Sequence, residues 1–155
     1  MHDLEMDRRA LLRTAGLGVL AAGGLLMFAG SASASPEGVQ KLMAELTGGK
    51  TPAEGKVKID MPQIAENGNA VPVTVTVESP MTDKDYVKAV HILAEANPDP
   101  GVASFNFTPA SGKAQVSTRM RLARTQNIVA VAEMSDGTLY TGKTEVKVTI
   151  GGCGG

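Results

Sequence analysis

The chain has 155 residues, a formal net charge of −1 and a hydrophobic fraction of 43%, with no Trp, two Tyr and three Phe. Its few basic residues are balanced by acidic ones, which argues against the strongly basic surface of a nucleic-acid-binding protein. Its single cysteine excludes an intramolecular disulfide and a cysteine-rich zinc site.

The first 34 residues have the three parts of an export signal. A basic segment contains the pair Arg8 and Arg9, and an apolar run follows at about residues 15–30. Small residues at 31–34 then provide a signal-peptidase site, so we predict cleavage after Ala34. The arginine pair is typical of the twin-arginine export route. We therefore expect a mature periplasmic chain that begins at Ser35.

An uncleaved membrane anchor is the alternative interpretation of this segment. The apolar run is short and glycine-rich for a spanning helix, and a cleavage site follows it. We therefore expect no membrane association after cleavage.

The mature chain begins with an amphipathic helix. Its apolar residues recur at i, i+3, i+4 and i+7, which places on one face Val39, Leu42, Met43 and Leu46. Ser35-Pro36 suits the start of this helix and Gly48-Gly49 its end. The apolar face packs either on the body of the protein or on a partner.

From Lys56 the hydrophobic period changes to two, which is typical of strands. About seven short strands are predicted, near residues 57–61, 71–77, 86–94, 103–107, 114–122, 128–134 and 146–150. Turn signals separate them at Asn67-Gly68, at residues 97–101 and at Asp136-Gly137, where we predict a two-residue hairpin turn of the primed type. The fold class is therefore mainly β. We expect an immunoglobulin-like antiparallel β-sandwich with one N-terminal helix, spanning residues 35–150.

The chain ends in an arm, residues 151–155, that holds its only cysteine. Cys153 is flanked by Gly151 and Gly152 on one side and by Gly154 and Gly155 on the other. Glycine has little conformational preference, and five residues can extend to about 17 Å. A lone cysteine is often a buried apolar residue and a glycine-rich end is often frayed, but this surrounding favours an exposed, functional thiol.

The predicted periplasmic location supports the hypothesis of a functional thiol. An unpaired thiol in an oxidising periplasm is expected to react unless it is used. The arm itself has no cationic side chain. We therefore expect partner proteins to activate the thiol inside their own sites.

Other candidate sites in the sequence are weak. His91 lies in a predicted strand, where a packed or surface histidine is a simpler interpretation than a ligand or a base. His2 lies within the export signal. No Ser-His-Asp triad, metal site or cofactor-binding site can be assembled from the mature chain. Two of the arginines Arg119, Arg121 and Arg124 share a strand face, which is either solvated or meets an acidic partner. We predict a protein without catalytic apparatus of its own.

Several short blocks make the chain resemble the SoxY family, the sulfur-carrier subunits of the periplasmic Sox sulfur-oxidation system. The twin arginines and the terminal Gly-Gly-Cys-Gly-Gly fit this family. The internal blocks that fit are Glu66-Asn67-Gly68-Asn69 with Val71-Pro72-Val73, Pro80-Met81-Thr82 with Asp85-Tyr86-Val87-Lys88, Asn97-Pro98, Phe107-Thr108-Pro109 with Ser111-Gly112, Arg121-Leu122-Ala123 with Thr125-Gln126-Asn127, and Val129 to Gly137.

The resemblance implies a covalent carrier of sulfur intermediates. Cys153 would be the attachment point, and the flanking glycines would give the arm reach and slimness. SoxZ would be the heterodimer partner, and SoxAX, SoxB and, where present, SoxCD would act on the arm in turn. Two such heterodimers could also be joined through Cys153.

Two other functions are compatible with a terminal thiol. A redox enzyme or peroxide sensor would need an activating base or a resolving thiol, and the chain has no second cysteine. An exported structural or interaction protein would use Cys153 only for intermolecular disulfides.

Overall fold

The computed structural model describes residues 36–152, which form one α-helix, nine strands and a short 3-10 helix. The helix α1 is Pro36–Thr47, and the strands are β1 (Ala53–Glu54), β2 (Val57–Asp60), β3 (Ile64–Asn67), β4 (Val71–Val77), β5 (Val87–Ala94), β6 (Gly101–Asn106), β7 (Ala114–Met120), β8 (Gln126–Met134) and β9 (Leu139–Ile150). The 3-10 helix, Pro109–Ser111, joins β6 to β7. The predictions on Arg8, Arg9 and Ala34 lie outside the described residues.

The strands form two sheets. One follows the order β1-β9-β8-β5-β6, with β3 also pairing with β9, and the other follows the order β2-β4-β7. Neighbouring strands are antiparallel except at β1 and β3, which both run parallel to β9. The predicted mainly-β sandwich is therefore confirmed, with two short parallel pairings that the sequence pattern did not predict.

An aliphatic core fills the space between the two sheets. Alternation in β4 turns Val71, Val73, Val75 and Val77 inward, and all four are buried. They pack in one cluster with inward residues of the larger sheet, including Ile92 of β5 and Ile128 of β8. Because valine and isoleucine are β-branched, they suit both the strand conformation and this packing.

Helix α1 covers the outer face of the larger sheet. Val39 is buried there in a second cluster with Leu93 of β5 and with Val129 and Val131 of β8. This cover explains why β8 is apolar on both of its faces. Of the two alternatives for its apolar face, the body or a partner, the structure shows packing on the body.

Two glycines end this helix as predicted. Gly48 has a φ of 60°, in the left-handed region, and the Gly49 N–H donates to the Ala44 carbonyl oxygen at 2.9 Å. This is the pattern of a glycine-terminated helix. No helix within residues 36–152 has the length and apolar character needed to span a membrane.

The turn between β8 and β9 differs from the prediction. The Gly137 N–H donates to Met134 O at 3.0 Å, and the Met134 N–H donates to Thr138 O at 2.9 Å, so the loop has three residues. Gly137 has a φ of 80°, whereas Asp136 does not have a positive φ. The predicted primed two-residue turn is wrong; a three-residue loop that closes on a left-handed glycine takes its place.

Candidate functional site

The last strand ends in a ring of backbone hydrogen bonds that involves three separate segments of the chain. The Gly68 N–H, after β3, donates to Ile150 O at 2.7 Å. The Leu122 N–H, in the β7–β8 loop, donates to Gly68 O at 2.8 Å, and the Gly152 N–H donates to Leu122 O at 2.8 Å. We call these four residues, Gly68, Leu122, Ile150 and Gly152, the arm anchor.

The glycines of this region have no room for a side chain. A Cβ on Gly68 would overlap Leu122 O and lie 2.8 Å from the Gly152 nitrogen. A Cβ on Gly151 would overlap Ala123 O, and one on Gly152 would overlap the Gly68 carbonyl group. Real Cβ atoms essentially never lie closer than 3.0 Å to such backbone atoms. The three positions therefore require glycine because of close backbone approach, and none of the three has a positive φ.

The strand that leads into the anchor is held from both sides. The Val148 N–H donates to Thr125 Oγ1 at 3.0 Å, and the Lys147 N–H donates to Gln63 O at 2.9 Å. Val148 also packs against the main core. The end of β9 is therefore fixed before the chain reaches Gly151.

Two buried amide side chains hold the β7–β8 loop in place. Asn97 donates from Nδ2 to Arg121 O at 2.8 Å, and its Oδ1 accepts from the Ala123 N–H at 3.0 Å. Gln126 Nε2 donates to the same Oδ1 at 2.9 Å and to Arg124 O at 3.1 Å. Asn97 and Gln126 are 7% and 5% exposed. Because buried amides are costly to leave unpaired, this network fixes the backbone on either side of Leu122.

The structure describes only the first two of the five predicted arm residues. Gly151 and Gly152 lie within it, and the structure shows that they pack against the body. Cys153, Gly154 and Gly155 lie outside the described residues, so the predicted role of the thiol stays a prediction. Within the anchor, Ile150 has 64% of its surface exposed.

His91 is a packed strand residue. It lies on β5, half-buried, with Nδ1 2.7 Å from Ser104 Oγ on the neighbouring strand. Burial lowers the pKa of His91 from its ordinary value of 6.5, and the nearby Glu133 carboxylate opposes this shift. Within residues 36–152, no three His, Cys, Asp or Glu side chains come together to hold a metal ion.

Arg119 lies on β7 opposite Pro72 of β4, and Arg121 follows in the β7–β8 loop. Both are exposed, as is Arg124. The structure therefore keeps all three at the surface, but only Arg119 lies on a strand, so the prediction of two arginines on one strand face is wrong.

The periodicity of the sequence did not identify the anchor. Asn67-Gly68 is a turn, as predicted, but it joins β3 to β4, and Gly68 is needed for close approach. A usable signal was the set of blocks that carried the family resemblance. Four of these blocks are far apart in the chain but lie together at the base of the arm; they contain Gly68, Asn97, Leu122 and Gln126.

Comparisons with known proteins agree with this site. A family model described as sulfur oxidation protein SoxY matches residues 43–153, from within α1 to the arm cysteine. The solved structure of the sulfur carrier protein SoxY from Chlorobium limicola f. thiosulfatophilum is 37% identical, with a TM-score of 0.62. That alignment covers 72% of this chain and 92% of the other. Comparison with curated protein sequences gave no match.

More distant structures share the fold alone. Superoxide reductase (neelaredoxin) from Ignicoccus hospitalis is 17% identical with a TM-score of 0.55, covering 61% of this chain and 80% of that chain. Superoxide reductase from Nanoarchaeum equitans is 12% identical with a TM-score of 0.53, covering 63% and 100%. The family match, by contrast, spans the sandwich, the anchor and the cysteine together, and the chain therefore belongs to the SoxY family of sulfur oxidation proteins.

Proposed function

We propose that this protein carries covalently bound intermediates of thiosulfate oxidation on Cys153. As a member of the SoxY family, the chain is a sulfur carrier and not itself an enzyme. The observation that carries the proposal is that the family match ends at Cys153, one residue beyond a backbone that the sandwich holds in place. Cys153 therefore follows directly, in the chain, on a backbone that is fixed to the sandwich, which supports a thiol offered to other proteins.

The chemistry begins with conjugation. The Cys153 thiolate and thiosulfate form a sulfur–sulfur bond, and the two electrons released pass to the cytochrome SoxAX. Water then attacks the sulfonate sulfur in the SoxB hydrolase, and sulfate leaves with two protons. A persulfide remains on Cys153. Where SoxCD is present, this dehydrogenase takes six electrons from the outer sulfur, which becomes a sulfonate with three oxygens from water as six protons are released. A second hydrolysis by SoxB then releases sulfate and restores the thiol.

The partners follow from the same assignment. SoxZ forms the heterodimer with this chain, and SoxAX, SoxB and SoxCD bind transiently. Export by the twin-arginine route through Arg8 and Arg9, with cleavage after Ala34, delivers the pair to the periplasm. The sandwich serves as the base, and residues 151–155 serve as the carrier arm.

The test is intact mass spectrometry of the mature protein with SoxZ, after incubation with thiosulfate and the oxidising cytochrome. We expect a mass increase of one S₂O₃ unit that maps to the C-terminal peptide and is absent in Cys153→Ser. Omission of the cytochrome is the control, because conjugation needs an acceptor for two electrons.

The alternative function, an exported structural protein that only forms disulfides, predicts a different result. Only a disulfide-linked dimer would then be found, and Cys153→Ser would lose the dimer while leaving sulfur oxidation intact. That outcome would refute the proposed carrier function.

A further inference from the structure

We propose that the arm anchor is a positioning device that fixes the backbone at Gly152 and so sets the point from which the carrier arm departs. This proposal deepens the carrier function and rests on it. In a five-residue arm without an anchor, the thiol would sit midway along a tether of about 17 Å. The anchor removes Gly151 and Gly152 from that tether.

The geometry places the point of departure at Gly152. Its N–H is bonded to Leu122 O at 2.8 Å, and its backbone lies against Gly68 and Asn69. Successive Cα atoms are about 3.8 Å apart, so the Cys153 backbone starts beside this contact whenever the anchor is closed. The length of chain between the fixed backbone and the thiol-bearing residue is then one residue instead of three.

The anchor is built from backbone groups, which explains its dependence on glycine. Gly68 and Gly152 approach so closely that a Cβ on either would overlap the opposing backbone. The buried side chains of Asn97 and Gln126 set the position of Leu122, because Asn97 bonds to the backbone of the residues before and after it. Asn97 and Gln126 are therefore positioning residues, which act on the thiol only through the loop that they hold.

A fixed point of departure has a consequence for recognition. A partner enzyme that takes up Cys153 meets the end of the sandwich at the same time, including the exposed Ile150 and the Asn69 backbone. The anchor thus keeps the attachment point of the arm in one place relative to this surface.

Distance measurement between two nitroxide labels tests the proposal in the mature chain bound to SoxZ. One label is placed on Cys153 and the other on Gln115→Cys, at an exposed position of β7, and both thiols are blocked by labelling. We expect a narrow distance distribution in the parent and a severalfold broader one in Gly68→Ala. Equal widths in these two proteins would overturn the proposal.

Two further variants keep the test decisive. Gly152→Ala introduces the clash on the C-terminal side of the contact, where the arm can detach without unfolding the sandwich. If Gly68→Ala does not fold, the distance distribution of Gly152→Ala tests the proposal in its place. Gly142→Ala is the matched control, because its Cβ would lie 2.6 Å from Val57 O, a similar clash earlier in β9. We expect it to lower the melting temperature without broadening the distribution. Broadening in this control equal to that in Gly68→Ala would refute a specific role of the anchor.

The label experiment and the carrier experiment fail independently. A parent protein that gives a narrow distribution but never forms the thiosulfate adduct would remove the carrier function and leave the anchor standing. An adduct on Cys153 together with equally broad distributions in parent and variant would remove the anchor and leave the carrier function.

Discussion

The backbone of Gly152 lies so close to that of Gly68 that a Cβ on Gly152 would overlap the Gly68 carbonyl group and lie 2.6 Å from the Asn69 nitrogen. The arm of this carrier therefore begins with a tightly packed contact between residues more than eighty positions apart. All four glycines around the cysteine were predicted to give reach and slimness, but the two before it, Gly151 and Gly152, lie in close backbone contact with the body.

Gly151→Ala should detach the start of the arm at a small cost in stability. Its Cβ would overlap Ala123 O, and the terminal segment can move away without distorting the core. The loss is then close to one hydrogen bond, about 1 kcal/mol in the free energy of unfolding. Urea unfolding of the mature protein measures it, with Gly154→Ala as the control. Equal stability of Gly151→Ala and the parent would contradict the close approach at this position.

Asn97→Ala should destabilise the fold more than a typical polar substitution. The Ala123 N–H and the Arg121 carbonyl oxygen, both partly buried, then lose the partner that Asn97 supplies. We expect a loss of about 2–4 kcal/mol in the free energy of unfolding. Asn127→Ala is the matched control, because that amide is less buried and bonds to the Glu95 carboxylate at 2.7 Å. Losses of the same size in both variants would mean that the network has no special role.

His91 should make the protein less stable as the pH falls. Because burial lowers the pKa of His91 in the folded state, the unfolded chain binds a proton there at higher pH than the folded chain does. The unfolded state therefore gains protons first on acidification, and stability decreases below the ordinary value of 6.5. Between about pH 7.5 and 5.5, the fall in melting temperature should be smaller in His91→Gln than in the parent. An identical pH dependence of the two proteins would refute this.

Val39→Asp should detach helix α1 and leave the sandwich folded. Val39 is 3% exposed in a cluster on the outer face of the sheet, separate from the core between the sheets. Loss of its burial corresponds to about 2 kcal/mol. Limited proteolysis should then cleave the helix while residues 53–150 stay resistant. Gln40→Asp, at an exposed position of the same helix, should behave as the parent does.

Gly154→Trp tests the slimness of the arm. The substitution lies beyond the anchor, so the melting temperature should not change. The bulky side chain should nevertheless impede entry of Cys153 into partner sites and slow formation or hydrolysis of the thiosulfate adduct, as followed by mass spectrometry. Normal turnover in this variant would exclude a narrow entrance in the partner enzymes.

The sequence by itself determined the helix, seven of the nine strands and the family. Alternation at Val71–Val77, the helical spacing in α1 and the glycines after it are local patterns, because each follows from the geometry of a single element. The only cysteine and its neighbours are visible without any structure. Together with the internal blocks, they were enough to place the chain in its family.

Only the tertiary structure decided how the arm begins. A glycine in a sequence can serve either a positive φ or a close backbone approach, and periodicity does not distinguish the two. At Gly137 the reason is local, whereas at Gly68 and Gly152 it is contact with distant segments. Strand β3 was missed for a similar reason, because only Ala65 of its four residues is buried and its pairing with β9 is non-local. The anchor exists because folding brings Gly68, Leu122 and Gly152 together, and no pattern within one segment encodes that meeting.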